Sequence, residues 1–146
     1  MRKLLQHTFL AAALCVGFSA PSFATEITVY KSPDCGCCKE WVRHLQVNGF
    51  SVKAHDVSDI MPYKTANGVP VALGSCHTAK VGGYVIEGHV PASDIKRLLK
   101  EHPPVSGLAV PGMPSGSPGM EQGGHKDRYD VLTFDKQGKT GVYARY

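Results

Sequence analysis

The sequence predicts an α/β domain with a mixed β-sheet, and three stretches of the chain support this class. A strand, a helix and a second strand follow one another between residues 26 and 57, which is the pattern of a βαβ unit. A further strand and helix come later, and the last residues have the pattern of a β-hairpin. Because a βαβ unit pairs its strands in parallel and a hairpin pairs them antiparallel, the sheet is expected to be mixed.

The βαβ unit is predicted from the spacing of apolar residues. Glu26–Tyr30 is a short run of β-branched and aromatic residues, which is typical of a strand. The next segment places apolar side chains on one helical face, at positions i, i+3, i+4 and i+7, and these are Cys38, Trp41, Val42 and Leu45. Asn48-Gly49 is a typical helix end, and the weak alternation from Phe50 to Val57 predicts the second strand.

The central part of the chain has a weaker pattern. Residues 59–66 favour one or two helical turns, and residues 70–73 are expected to form a short helix with proline at its start. Residues 75–78 are interpreted as a loop, and residues 84–87 as a strand. Residues 91–102 then predict a helix that ends before two prolines.

The chain changes character between Val105 and Gly124, where Gly, Pro and Ser dominate. This composition is not expected to form a helix or a central strand, because proline lacks the backbone N–H and glycine weakens a strand. A loop of this length in a small domain is usually functional or disordered. Residues 129–134 and 140–146, joined by a turn at Lys136–Lys139, predict the terminal hairpin.

The N-terminal residues are typical of a secretory signal peptide. Arg2 and Lys3 form a positive region, and an uncharged apolar stretch too short to span a membrane follows them. Ser22–Ala24 matches a cleavage site, so the predicted signal peptide is residues 1–24 and residues 25–146 are expected to form one domain. In a Gram-negative bacterium such a protein is exported to the periplasm.

The charge balance argues against two classes of partner. The chain carries 16 Lys and Arg against 12 Asp and Glu, a formal net charge of +4, and two of the basic residues lie in the predicted signal peptide. A mature chain this close to balance gives no case for binding nucleic acid or an anionic membrane surface. No second apolar span follows the signal peptide, so a membrane span is not expected in the mature chain.

Three cysteines lie within four residues, at Cys35, Cys37 and Cys38, where the first strand gives way to the helix. Pairing of the adjacent Cys37 and Cys38 is geometrically poor and a Cys35–Cys37 loop is very tight, whereas a Cys35–Cys38 disulfide is feasible. Whichever pair forms, one thiol remains. A thiolate at a helix N-terminus has a lowered pKa, so it is available as a nucleophile or as a metal ligand.

The cluster favours a soft metal ion, with a fourth sulfur from Cys76 closing the site. Bridging thiolates around more than one Cu(I) ion are physically reasonable, and zinc is the alternative. Further candidate ligands are the imidazoles and thioethers of His77, His89, Met113 and Met120. The competing interpretation of His77 is a loop residue hydrogen-bonded to the backbone, and that of His89 is a helix-entry residue. For Met113 and Met120 it is packing within the loop, and for Cys76 it is a buried free thiol or a disulfide partner.

Five segments of the chain, read in order, resemble one known family, the CopG-type periplasmic copper-resistance proteins, which are also described as a domain of unknown function. The resemblance covers nearly the whole predicted mature chain. The segments that carry it are Pro33–Cys38, Ser75–Ala79, Gly83–Pro91, Gly107–Pro114 and Gly116–Glu121.

The resemblance implies a thioredoxin-like fold, with the C-G-C-C stretch where thioredoxins keep C-x-x-C. It also implies copper binding through the four cysteine thiolates and a role in copper tolerance in the periplasm, alongside other copper-handling proteins. The thioredoxin fold keeps a cis-proline facing its site, and the loop Val110–Pro114 is the favoured position for it among the candidates Pro70, Pro91, Pro111 and Pro114.

Three functions remain open at this stage. The favoured one is a copper-binding protein that sequesters Cu(I) or hands it on, and the second is a thiol-disulfide oxidoreductase that uses Cys35 and Cys38. The third combines them, with the thiols holding copper as it changes oxidation state. The sequence therefore favours a metal-binding protein over a copper or thiol oxidoreductase, with one or more bound ions.

Overall fold

The computed structural model describes residues 24–146, so the predicted signal peptide lies outside the described residues except for Ala24. The described residues form a mixed seven-stranded sheet with helices packed against it, which confirms the α/β class. Within these residues, no helix combines the length and the apolar character needed to cross a membrane.

The predicted βαβ unit is confirmed. Strand β1 is Glu26–Lys31, helix α1 is Gly36–Val47 and strand β2 is Ser51–Asp56, and β1 and β2 pair in parallel. The apolar face of α1 packs into the core as its periodicity predicts, with Trp41 and Leu45 fully buried. This packing fixes the orientation of α1, and with it the cysteines at its first turn.

The central segment contains a strand that the sequence interpretation missed. After α2 (Met61–Ala66) and a short 3-10 helix (Val71–Leu73), strand β3 runs from His77 to Val81 and β4 from Tyr84 to Glu87. The loop predicted at residues 75–78 is therefore wrong for its last two residues. The missed signal is Gly82-Gly83, both with positive φ, which is the turn chemistry of a tight β-hairpin.

The Gly/Pro/Ser-rich segment corrects a second expectation. Helix α3 (Ala92–Glu101) forms as predicted, but Gly107–Ala109 then forms strand β5, which lies between β4 and β6 inside the sheet. A Cβ built at Gly107 would lie 1.9 Å from the carbonyl oxygen of Val85. Glycine is therefore what allows β5 to approach β4 here, and the expectation that this segment excludes a central strand is wrong.

The terminal hairpin is confirmed as β6 (Asp130–Phe134) and β7 (Thr140–Arg145). The strand order across the sheet is β2-β1-β3-β4-β5-β6-β7. Strands β1 and β3 pair antiparallel, as do β3 and β4, while β4 and β5 pair in parallel. The main apolar core packs α1 and α3 against this sheet.

The expected cis-proline is not found. Every peptide bond in residues 24–146 is trans. Pro70 and Pro91 instead precede the 3-10 helix and α3 as N-cap residues, both with φ −60°, the value to which the proline ring is already restricted. Two of the candidate prolines are thus explained by helix entry.

Replacing Gly107 by alanine should disrupt the centre of the sheet. The added methyl group meets the backbone of β4, which cannot move aside as a side chain can, so we expect Gly107→Ala to lower the free energy of unfolding by about 3 kcal/mol or more. Chemical denaturation measures the effect. Gly141→Ala in β7, where the nearest atom is a threonine hydroxyl at 3.1 Å, is the matched control and should change stability by less than about 1 kcal/mol. Equal effects at the two positions would contradict this account.

Candidate metal centre

Two segments that are distant in sequence bring four cysteines together. The sulfurs of Cys35, Cys37, Cys38 and Cys76 all lie within 4.8 Å of one another. The Sγ of Cys37 is 3.5 Å from that of Cys35 and 3.8 Å from that of Cys76. The predicted gathering of the cysteine cluster with the distant Cys76 is thus present in the structure.

Strand pairing explains why these segments meet. The cysteine cluster follows the last residue of β1, and Cys76 precedes the first residue of β3. Since Lys31 pairs with His77 in the antiparallel β1–β3 ladder, the end of one strand lies beside the start of the other. The three cysteines that follow Lys31 and the one cysteine that precedes His77 therefore lie at the same edge of the sheet.

The first turn of α1 sets the geometry inside the cluster. Cys35 is the N-cap residue, and its sulfur accepts a hydrogen bond from the backbone N–H of Cys38 at 3.3 Å. Gly36 is the first helical residue. The next two cysteines therefore leave the helix about 100° apart, so that Cys38 enters the core while Cys37 stays half-buried.

Two of the four sulfurs form a disulfide. Cys35 is joined to Cys38, while Cys37 and Cys76 are free thiols. The outer member, Cys35, is half-buried, whereas Cys38 is fully buried. A disulfide sulfur carries no thiolate, so the predicted four-thiolate ligand set requires this bond to be reduced. In the disulfide form only Cys37 and Cys76 retain thiol chemistry.

His89 lies against the distant thiol, and a backbone carbonyl fixes the orientation of its ring. Its Nε2 is 3.1 Å from the sulfur of Cys76, and its Nδ1 donates to the carbonyl of Pro118 at 2.8 Å. A proton held on Nδ1 leaves the lone pair on Nε2, pointing to the sulfur. Burial lowers the pKa of His89, against the opposing effects of Pro118 and Glu121, so the ring is neutral at physiological pH.

His77 adds a second buried imidazole beside the same thiol. Its Nδ1 lies 3.3 Å from the sulfur of Cys76, and its ring packs on Trp41 with centroids 4.2 Å apart. Its Nε2 is buried and has no hydrogen-bond partner among the described residues. Burial, followed by the nearby His89 and Lys64, lowers the pKa of His77 well below its usual range. Two neutral imidazoles therefore flank Cys76, and the role of His77 and His89 as ligands stays a prediction.

The thiol of Cys76 is protonated in the metal-free protein. Burial raises its pKa to about 12, with further increases from the charge and the hydrogen bond of Cys37. Nothing in its surroundings favours a thiolate enough to offset these effects. A cation that binds Cys76 must therefore displace its proton, as metal binding to thiols generally does.

The Gly/Pro/Ser-rich segment after β5 covers one side of the cluster. Pro118 and Gly119 are buried, and a Cβ at Gly119 would lie 2.7 Å from the carbonyl oxygen of Cys37 and 2.8 Å from the backbone nitrogen of Trp41. The backbone of this loop thus packs directly on the first turn of α1. Of the two methionine candidates, Met113 is 53% exposed and Met120 is partly buried. Their role as ligands stays a prediction.

Sequence reasoning missed an ion pair near the site. Lys64 of α2 and Glu87 of β4 form a buried pair, and Thr78 of β3 hydrogen-bonds to both. Burial raises the pKa of Glu87, and Lys64, Thr78 and Ser75 oppose that shift. The only signal in the sequence is a glutamate that ends an apolar strand, which does not reveal its partner.

The chemistry of this donor set fits a soft cation. The four cysteine sulfurs form one group within 4.8 Å, and Cys76 forms a second group of the same extent with the two neutral imidazoles. Thiolate and imidazole ligands together suit Cu(I) or Zn(II). The fold and the site thus define an α/β protein with a sulfur-rich candidate metal centre.

Comparison with known proteins identifies the family. A family model described as "Protein of unknown function, DUF411" matches residues 73–120. Two solved structures, forms 1 and 2 of copper resistance protein CopG, are each 46% identical, cover 84% of this chain and 98% of their own, and superpose with a TM-score of 0.80. No curated protein matches the chain. The chain belongs to the CopG copper resistance family, which confirms the resemblance seen in the sequence.

The raised pKa predicts slow alkylation of Cys76. With a pKa of about 12 the thiolate fraction at neutral pH is roughly a thousandfold below that of an ordinary cysteine, so iodoacetamide should modify Cys76 correspondingly slowly. The rate should rise tenfold per pH unit, which peptide mass spectrometry follows. Cys37→Ser removes two of the causes and should speed the reaction, whereas a neutral-pH rate like that of free cysteine would contradict this prediction.

Proposed function

We propose that this protein binds Cu(I) through Cys35, Cys37, Cys38 and Cys76 and acts in copper resistance. The observation that carries the proposal is the convergence of these four sulfurs within 4.8 Å. The names of the two matched structures, copper resistance protein CopG, support copper as the ion. Thiolates are soft ligands, and Cu(I) is the soft ion that this donor set favours, with zinc as the alternative.

The residues around the cluster would each have a definite task. The N-terminus of α1 stabilises negative charge on the sulfurs of its first turn. His89 presents its unprotonated Nε2 to the sulfur of Cys76 while Pro118 holds its ring in place, and His89 and His77 are additional ligand candidates on that side. Four sulfurs this close also support bridging of more than one ion. Met113 and Met120, on the covering loop, remain the outermost candidates.

The disulfide bears on how the protein would use copper. Reduction of Cys35–Cys38 yields two thiolates, so the full ligand set exists only in the reduced form. We infer that the redox state of this pair controls copper capacity, which is compatible with storage, with transfer to other copper-handling proteins, and with redox handling of copper. The strand-to-helix placement of the pair supports a thioredoxin-like assignment of the fold.

We propose a periplasmic location. Disulfides form and persist in oxidising compartments, and Cys35–Cys38 is such a bond. The basic residues, apolar stretch and cleavage motif of residues 1–24 support export. In that compartment, reduced copper thiolates need protection from oxidants, which the burial of Cys38 and the covering loop supply.

Metal analysis of the reduced protein tests copper binding. We expect wild type, loaded anaerobically with Cu(I) and desalted, to retain at least one copper per chain, and Cys76→Ser to hold it at least about tenfold more weakly, or roughly 1.4 kcal/mol. Competition with a chromogenic Cu(I) chelator measures the affinity. No copper on wild type, or zinc alone, would refute the proposal.

A matched variant separates geometry from thiol count. Ser51 begins the edge strand β2, so Cys76→Ser/Ser51→Cys restores four cysteines without restoring the cluster. We expect it to bind copper as weakly as Cys76→Ser. Recovery of wild-type affinity by this double variant would show that clustering is not needed.

A thiol-disulfide oxidoreductase is the second candidate, because the structure contains the Cys35–Cys38 disulfide. Such an enzyme needs only this pair, so Cys37→Ser/Cys76→Ser should keep insulin-reducing activity and Cys35→Ser should lose it. Under the copper proposal we expect wild-type activity no higher than that of a dithiothreitol-only reaction. Robust activity that survives in the double variant would instead favour the oxidoreductase.

A further inference from the structure

The ion pair of Lys64 and Glu87 lies in the interior, next to the segment that carries Cys76. The two side chains are 7% and 0% exposed. Lys64 comes from α2, before Cys76 in sequence, and Glu87 ends β4, after it. The pair therefore links α2 to β4, and Cys76 lies between these two elements in the sequence.

The hydrogen bonds of this pair converge on the residues that flank Cys76. Glu87 accepts from the backbone N–H of Ser75 at 2.6 Å, and Lys64 donates to the backbone carbonyl of His77 at 3.5 Å. Thr78 accepts from Lys64 at 3.0 Å and donates to Glu87 at 2.7 Å. The residues directly before and after Cys76 thus each have a backbone group held by one buried network.

Stability alone does not account for two charges in this position. Removing a lysine and a carboxylate from water is costly, and their attraction offsets that cost only when the geometry is good. Well-packed apolar residues of similar size are often as stabilising as a buried ion pair. What apolar side chains lack is a donor for His77 and an acceptor for Ser75, so these directed bonds are what the charges add.

We propose that Lys64, Glu87 and Thr78 are positioning residues that hold the sulfur of Cys76 within reach of Cys37, so that both can bind one ion. They act through the backbone of residues 75–77 and do not touch the ion. The proposal deepens the proposed function and rests on it. It accounts for the 3.8 Å separation between two sulfurs that come from separate segments of the chain.

The test removes the charges while keeping the volume. Lys64→Met/Glu87→Leu is the main variant, since it leaves no unpaired buried charge. Lys31→Met/Asp56→Asn is the matched control, because the side chain of Lys31 is also buried and paired but, within residues 24–146, hydrogen-bonds only to Ser32 and Asp56. Thermal unfolding establishes that each variant is folded before any other measurement is made.

Two readouts report on position, and one of them needs no metal. In the disulfide form, dibromobimane becomes fluorescent when it bridges Cys37 and Cys76, so its rate at a fixed alkaline pH reports the proximity of the two thiols. In the reduced form, competition with a chromogenic chelator gives the Cu(I) affinity. Outer residues that orient a ligand typically contribute about 10- to 100-fold to metal affinity, so we expect a loss in that range and a similar loss of bridging rate.

Each possible outcome either supports or overturns the proposal. Loss of bridging and of Cu(I) affinity in the folded main variant, with neither lost in the control, supports the proposal. Loss of only one, or of neither, overturns it. If wild type binds no copper, the proposed function fails, while the bimane rates still decide whether the network positions Cys76.

A second pair of variants covers the case in which Lys64→Met/Glu87→Leu does not fold. Thr78→Val removes the hydroxyl that links lysine to glutamate, and Thr78→Ser keeps it. We expect the valine variant to lose bridging rate and Cu(I) affinity and the serine variant to retain both. Equal behaviour of the two would overturn the proposal.

Discussion

The antiparallel pairing of β1 with β3 is the constraint on which the site depends. One strand ends where the other begins, so the helix start that follows β1 and the cysteine that precedes β3 meet at one sheet edge. The loop after β5 then covers the place where they meet, through Pro118 and Gly119. The strand pairing therefore determines where the cysteines meet.

Burial sets the protonation of the donor atoms in a consistent way. It keeps the imidazoles of His77 and His89 neutral, with lone pairs free, and keeps the thiol of Cys76 protonated. Without a cation the site carries little charge and can remain in the interior. A cation that enters replaces the thiol proton and supplies the charge that makes a buried thiolate acceptable. Metal affinity and proton release are thus linked by the same low-polarity surroundings.

Local patterns predicted the parts of the fold that local physics decides. The periodicity of Trp41 and Leu45 placed α1, and the cysteine spacing placed its N-terminus at the site. Strand β5 was missed because Gly107 is unfavourable in an isolated strand and is required only by the approach of β4. The pairing of Lys64 with Glu87 was missed for the same reason, since it exists only once α2 and β4 are brought together. His89 was recognisable as a candidate, but its orientation depends on the carbonyl of Pro118, which no local pattern reports.

The two disulfide sulfurs differ in burial, so they differ in accessibility to a reductant. Cys38 is sealed in the core beside the α1 face, whereas Cys35 reaches the surface. An incoming reductant thiolate would therefore reach the sulfur of Cys35 first, form a mixed disulfide there and expel Cys38 as the thiolate. A second reductant thiolate then releases Cys35. The inner sulfur would thus be the first to become free, in the interior and shielded from solvent.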